Sequence, residues 1–183
     1  QETVIKLLLI EESGEEAEQL ISMLRNGGIA VRPARAGNTD ELKAQLATQT
    51  PDLLLVNLAA RGVTLKDASS AANATGKDIA IIAVAAKADE DTVANAFTDG
   101  ARALSLRNRA EHVQSIVRRE FEGLLMRRSV RRLETALRET ERRCEALLDS
   151  SRDPIAYVHE GMHVRANKAY LETFGFEEFE DIE

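Results

Sequence analysis

Short apolar runs alternate with amphipathic segments along the first part of the chain. "VIKLLLI" (Val4 to Ile10), "IAVRPARA", "PDLLLVN", "DIAIIAVAA" and "ARALSL" are largely apolar stretches of strand length. The segments between them carry helical spacing and helix punctuation. Ser13 and Glu16 offer a capping box ahead of Leu20, Ile21, Met23 and Leu24, and "NGG" closes that helix. Asn38 or Thr39 starts "NTDELKAQLATQ", and Asp89 or Asp91 caps "EDTVANAFTDG", which stops at Gly100. The stretch Leu65 to Thr75 is only weakly helical, with alanines and serines and few large apolar side chains.

Strands that are apolar throughout and separated by helices belong to a parallel sheet covered on both faces. The expected fold class is therefore α/β, a doubly wound five-stranded parallel sheet, in which sites form at the carboxyl ends of the strands. Pro33 places the second strand at an edge, because proline cannot donate to the ladder. The carboxyl ends bring forward Glu11 and Glu12, Asn57, Ala85 and Ala86, and the segment Ser105 to Asn108.

The period changes after Ala110. From there to Ser150 the chain has no proline and one glycine, Gly123, and many Arg and Glu residues. Met126, Val130, Leu133, Leu137, Thr140, Cys144 and Leu147 are spaced alternately four and three apart, a heptad seam of about three heptads. Upstream, Val113, Val117, Phe121 and Leu124 have helical spacing and are expected to pack on the sheet. Glu134 with Arg138, and Glu139 with Arg143, are favourable i,i+4 pairs. One long helix is predicted, leaving the sheet domain and continuing as a coiled coil. Beyond Asp153, "PIAYVHEGMHVRAN" reads as two short strands around Gly161, and Asn167 caps "KAYLETF", which ends at Gly175.

Composition narrows the function. The formal charge of −7 argues against nucleic acid as the general partner, and no aromatic residues alternate with the arginines at 118, 119, 127, 128, 131 and 132. That cluster reads as the solvated face of a helix. The longest apolar run, "IAIIAVAA", is far too short to span a bilayer, and no direct membrane insertion is expected. One cysteine forms no internal disulfide and suits a reducing cytoplasm. The chain opens without methionine and stops in the charged run "FEEFEDIE", so it reads as a piece of something longer. No Ser/His/Asp set, phosphate-cradling glycine loop or zinc spacing is present, so no enzyme activity and no metal or cofactor is expected. His159 and His163 flank Gly161, but two ligands alone make no metal site.

The stretches "LLLIEES", "PDLLLVNLAARG", "IAIIAVAAKADE" and "GARALSLRN" resemble a response-regulator receiver domain of the flavodoxin-like kind, from about Lys6 to Phe121. In that family an acidic pair after the first strand holds Mg²⁺; the pair here is Glu11 and Glu12. The resemblance puts the phosphorylated Asp at Asn57, the switch Thr or Ser at Ala85 and the conserved Lys at Arg107. Asn108 replaces the proline that follows the Lys, and Leu104 replaces the fifth-strand aromatic. An amide is a poor nucleophile and shares no charge with Mg²⁺, and Ala85 has no hydroxyl for a phosphoryl oxygen. Arg107 keeps a cation that could pair with Glu11 or Glu12. The pocket reads as a receiver site converted into an internal polar cluster. Without a carboxylate at position 57, the two glutamates read as acids near a helix start rather than as a metal pair.

"LLDSSRDPIAYVHEGMHVRANKAYLETFGF" resembles the opening of a PAS domain. The succession of degenerate receiver, Arg-rich helix and PAS start resembles the N-terminus of FimX-type cyclic di-GMP signalling proteins. In these, GGDEF and EAL domains follow, and the protein acts in type IV pilus assembly and twitching motility. That resemblance implies self-association and placement at the cell pole. The expected domains are a degenerate receiver over 1–122, a coiled-coil helix over 123–149 and the beginning of a PAS domain over 150–183. The expected partners are a second copy, joined in parallel along the seam so that two Cys144 side chains face each other, and an unidentified protein at the receiver surface. The alternative is a receiver of a two-component or sensory protein that is still phosphorylated or feeds a different output.

Overall fold

The computed structural model describes residues 3–182. They divide into two compact units that meet between Arg128 and Ser129. The first is an α/β unit with strands β1 (Ile5–Ile10), β2 (Val31–Ala36), β3 (Leu53–Asn57), β4 (Ala80–Ala85) and β5 (Ala103–Leu106). The intervening helices are α1 (Gly14–Asn26), α2 (Thr39–Thr48), α3 (Leu65–Ala74) and α4 (Glu90–Thr98), and α5 (Ala110–Ser150) follows. All strand pairings are parallel, in the order β2-β1-β3-β4-β5. The doubly wound sheet is as expected, with β2 and its Pro33 at one edge.

Alternation along the strands builds two cores. Leu7 and Leu9 of β1, Leu53 and Leu55 of β3, and Ile82 and Val84 of β4 point to one face, where α1 and α5 cover them. Leu8, Ile10, Leu54, Val56, Ile81 and Ala83 point to the other, under α2, α3 and α4. Residues that are apolar at every position thus have no free face, which is why the runs show no period of two. Val113, Val117, Phe121 and Leu124 of α5 are buried against the first core, as their spacing predicts.

α3 is better formed than its sequence suggests. Thr64 and Asp67 make a reciprocal capping box, and Ala68, Ser69 and Ala72 are buried. Its small side chains permit close approach: a Cβ on Gly100 would lie 2.1 Å from Ser69 Oγ. Gly100 also has φ +106, which disfavours any other residue.

Part of the arginine cluster departs from the solvated face expected of it: Arg127 and Arg128 are half-buried, whereas Arg118, Arg119, Arg131 and Arg132 are exposed. Arg127 donates to Asp78 at 2.9 and 3.2 Å, and Arg128 reaches Asp52 Oδ1 at 2.7 Å and the Asp78 carbonyl at 3.2 Å. Arg118 donates to the Gly27 carbonyl. These bonds pin α5 to the amino-terminal edge of the sheet. Asp52 also accepts the Lys6 amide at 2.9 Å, so one carboxylate joins β1, β3 and α5.

In the second unit α5 runs on to Ser150, followed by β6 (Ala156–His159), β7 (Met162–Ala166) and α6 (Lys168–Phe174). β6 and β7 form an antiparallel hairpin turned by Glu160 and Gly161, both at positive φ. Asn167 caps α6, and Gly175, in the left-handed region, ends it. Among the described residues no helix is long and apolar enough to cross a membrane.

Replacing Asp52 by Ala removes the carboxylate partner of Arg128 and strands the Lys6 amide. Urea unfolding should show a loss of about 1–3 kcal/mol. Asp52→Asn, which keeps an acceptor, should lose less. A loss for the alanine variant no larger than the roughly 0.5 kcal/mol of a neutral surface substitution would refute this role for Asp52.

Candidate functional site

The parallel sheet delivers the ends of β1, β3, β4 and β5 to one edge, so Glu11, Asn57, Ala85 and Arg107 converge there. Glu11 is 3% exposed, and a carboxylate buried to that degree must be paired or hydrogen-bonded. Its Oε2 accepts from Asn57 Nδ2 at 2.7 Å and Arg107 Nη2 at 2.5 Å, and its Oε1 accepts from the Ser13 amide at 3.1 Å. Asn57 Oδ1 accepts the Ala59 amide at 3.0 Å, which turns the Asn57 amide nitrogen toward Glu11. Ala85 is buried and brings no hydroxyl; its carbonyl accepts the Arg107 amide at 2.8 Å.

Two residues take unexpected parts. The second carboxylate on Arg107 is Glu16, bound to Nη1. Ser13 caps α1 by accepting the Glu16 amide at 3.3 Å, but the reciprocal half of the predicted capping box does not form. The Glu16 side chain goes to Arg107 instead. A guanidinium presents a fork of donors, which lets one arginine serve two carboxylates where an ammonium would act as a point charge. Glu12, expected beside Glu11, turns to the loop after β3, where its Oε1 accepts the amides of Arg61 at 2.8 Å and Gly62 at 2.5 Å. A side chain on Gly62 would meet the Gly37 carbonyl at 2.2 Å, so only glycine fits. Arg35 donates to the Glu11 and Glu12 carbonyls at 3.0 and 3.1 Å and steadies the turn between them.

The electrostatics follow from these contacts. Burial pushes the Glu11 carboxyl up, but the Ser13 amide, the Arg107 guanidinium and the Asn57 amide outweigh it and hold the group below its ordinary 4.5. Burial likewise disfavours the Arg107 cation, yet Glu16 and Glu11 raise it above its usual value. The residues do not fit the Mg²⁺ that the receiver resemblance implies. Both Glu11 oxygens are taken, Glu12 is committed to backbone amides, and position 57 supplies no charge. Among the described residues no group of three or more His, Cys, Asp or Glu side chains could hold a metal ion.

The seam residues Met126, Val130, Leu133, Leu137, Thr140, Cys144 and Leu147 are all exposed along α5. Leu133 and Leu147 are 69% and 70% exposed, an unusual state for leucines spaced to share one face.

No family model matches the chain, and no curated protein matches it. Solved structures do. A response regulator from Thermotoga maritima is 19% identical with a TM-score of 0.56, over 66% of this chain and 99% of that one. NtrX from Brucella abortus is 16% identical with a TM-score of 0.61, over 72% of this chain and 29% of its own. A fusion carrying the trimeric coiled coil of yeast Spc42 is 18% identical with a TM-score of 0.60, over 79% of this chain and 94% of that one. The sheet unit has the receiver fold of response regulators.

Because the Glu11 value is lowered on folding, its contribution to stability is complete above the ordinary carboxylate range and is lost as pH falls through the lowered value. Glu11→Gln should therefore flatten the acid limb of the stability curve in urea titrations at several pH values. At neutral pH Arg107→Met should cost about 3 kcal/mol by leaving a buried charge. The double variant Arg107→Met/Glu11→Gln should recover part of that loss. Simple additivity would show that the two side chains do not form a pair.

Proposed function

We propose that this chain is a signalling module whose receiver unit works without phosphoryl transfer and acts through assembly and docking. The observation that carries the reading is the closed cluster of Glu11, Asn57, Arg107 and Glu16. The nucleophile position holds an amide that donates to Glu11, and the cation is already shared between two carboxylates. Such a cluster has no free carboxylate to phosphorylate and no ligand set to bring a phosphoryl donor's metal into place. The input would then be protein binding or assembly state. In this reading 1–122 is the receiver, 123–149 the coupling helix and 150–183 the beginning of a PAS domain.

The partner along α5 is a second copy in parallel register. In heptad terms Val130, Leu137 and Cys144 are a positions, and Met126, Leu133, Thr140 and Leu147 are d positions. Val130 at a followed by Leu133 at d is the pattern that favours two strands in a parallel coiled coil. Parallel register sets Ser129 against Glu134, Ala136 against Glu141 and Arg143 against Leu148, with no like-charge pair. Antiparallel pairing of the same seam would oppose Glu134 to Glu141. At about 1–2 kcal/mol for each well-buried seam side chain, three heptads are marginal and need help from packing elsewhere. A protein partner at the receiver surface completes the reading, and Phe97 of α4, half exposed, gives that surface an apolar contact. The order of modules, by its resemblance to FimX-type proteins, supports a place in cyclic di-GMP signalling for pilus-driven motility, at the cell pole.

Incubation with a labelled small phosphodonor and Mg²⁺ should leave the chain unlabelled; stoichiometric label would overturn the phosphate-independent reading. Sedimentation should show a dimer that Leu133→Glu/Leu137→Glu converts to monomer. Mild oxidation should cross-link that dimer through Cys144. An unchanged dimer in the double variant would move the interface onto the receiver.

A further inference from the structure

Asn167 is 2% exposed, and its side chain spends all its hydrogen-bonding capacity on three different pieces of chain. Its Oδ1 accepts the Tyr170 amide at 3.0 Å, capping α6, and the Ile155 amide at 2.9 Å, holding the approach to β6. Its Nδ2 donates to the Asp153 carbonyl at 2.9 Å and to the Leu148 carbonyl at 2.9 Å. Leu148 lies in the last turn of α5, and its carbonyl, which also accepts the Ser151 amide at 3.2 Å, has a second lone pair for the Asn167 amide. One amide thus closes the end of α5 and the beginning of α6 together. The Asn167 backbone adds a fifth bond, donating to the Ile155 carbonyl at 2.9 Å. Arg165 of β7 pairs with Glu145 of α5 at 3.0 Å, so the hairpin meets α5 a second time one turn earlier.

We propose that Asn167 is a positioning residue, a double cap through which the state of the last turn of α5 is passed to the β6–β7 hairpin and α6. A capping residue alone would need only an acceptor. The donated bonds to Leu148 and Asp153 are what an asparagine has and an aspartate, an equally good cap, lacks. When the last turn of α5 winds tightly, its Leu148 carbonyl is fixed and so is Asn167. When that turn frays, the amide loses a partner in a buried place, and the start of α6 and the segment before β6 loosen with it. This coupling runs through unit-local contacts and holds whether or not the receiver is phosphorylated.

Asn167→Asp separates the two roles, since it keeps the acceptor for Tyr170 and loses both donated bonds. Hydrogen exchange on the 183-residue chain reads them. The probe is Ala146→Gly, which loosens the end of α5 away from the seam and should speed exchange there about fivefold. With Asn167 in place, the same substitution should also speed exchange across β6, β7 and α6. In the Asn167→Asp background its effect should stop at the end of α5, while the start of α6 stays capped. Should Asn167→Asp lose the hairpin altogether, Asn167→Ser is read the same way, because its hydroxyl can cap α6 but does not span to Leu148. The proposal fails if Ala146→Gly leaves β6 to α6 unchanged beside Asn167, or speeds them equally in the Asn167→Asp and Asn167→Ser backgrounds.

Discussion

A carboxylate at the end of the first strand of a doubly wound sheet lies in the crevice where the strands stop, and once covered there it must be paired or hydrogen-bonded. Glu11 is in that position, and the rest of the carboxyl edge is arranged to satisfy it. An aspartate at 57 would set a second carboxylate within hydrogen-bond distance of the first, and the pair would have to share a proton or a cation. The amide removes the charge and supplies a donor. Arg107, longer than a lysine and forked, crosses from the end of β5 and bridges Glu11 to Glu16 on α1. The cluster carries its own cation, so nothing external is needed to stabilise it.

The opposite edge of the sheet has a corresponding device. Asp52 and Asp78, placed at the starts of β3 and β4, take the guanidinium groups of Arg128 and Arg127 where α5 passes. Such partly exposed pairs give modest stability but define geometry, because each is bidentate or backs onto a backbone group. Phe121 and Leu124 face the core and Met126 faces outward, so α5 turns one face to the sheet and leaves another exposed.

Much of this was legible in the sequence, for identifiable reasons. Strands buried on both faces announce themselves as unbroken apolar runs, and Pro33 marked the edge. The full length of α5 could be read from Ala110 to Ser150, because no proline interrupts it and the spacing persists. α3 was harder, since its packing depends on alanine and serine, whose burial is invisible to hydrophobicity. The site was legible to the extent that strand ends bring residues together. Glu16 escaped because a glutamate three residues after a serine has a local explanation, the capping box, and the competing partner lies 91 positions away. Arg127 and Arg128 were hidden by the same logic: arginines on a long helix look solvated until an acid elsewhere in the fold is placed opposite. Asn167 was recognised as a cap, but its donated bonds depend on a tertiary neighbour at Leu148.

Glu11, Asn57, Arg107 and Glu16 close this edge of the sheet with their own side chains. That closure can be read by following the Glu11 carboxyl carbon by NMR through an acid titration, with and without Mg²⁺. A closed cluster should give a midpoint below the ordinary 4.5 that magnesium does not move. A midpoint at or above that value, or one that shifts when Mg²⁺ is added, would contradict it.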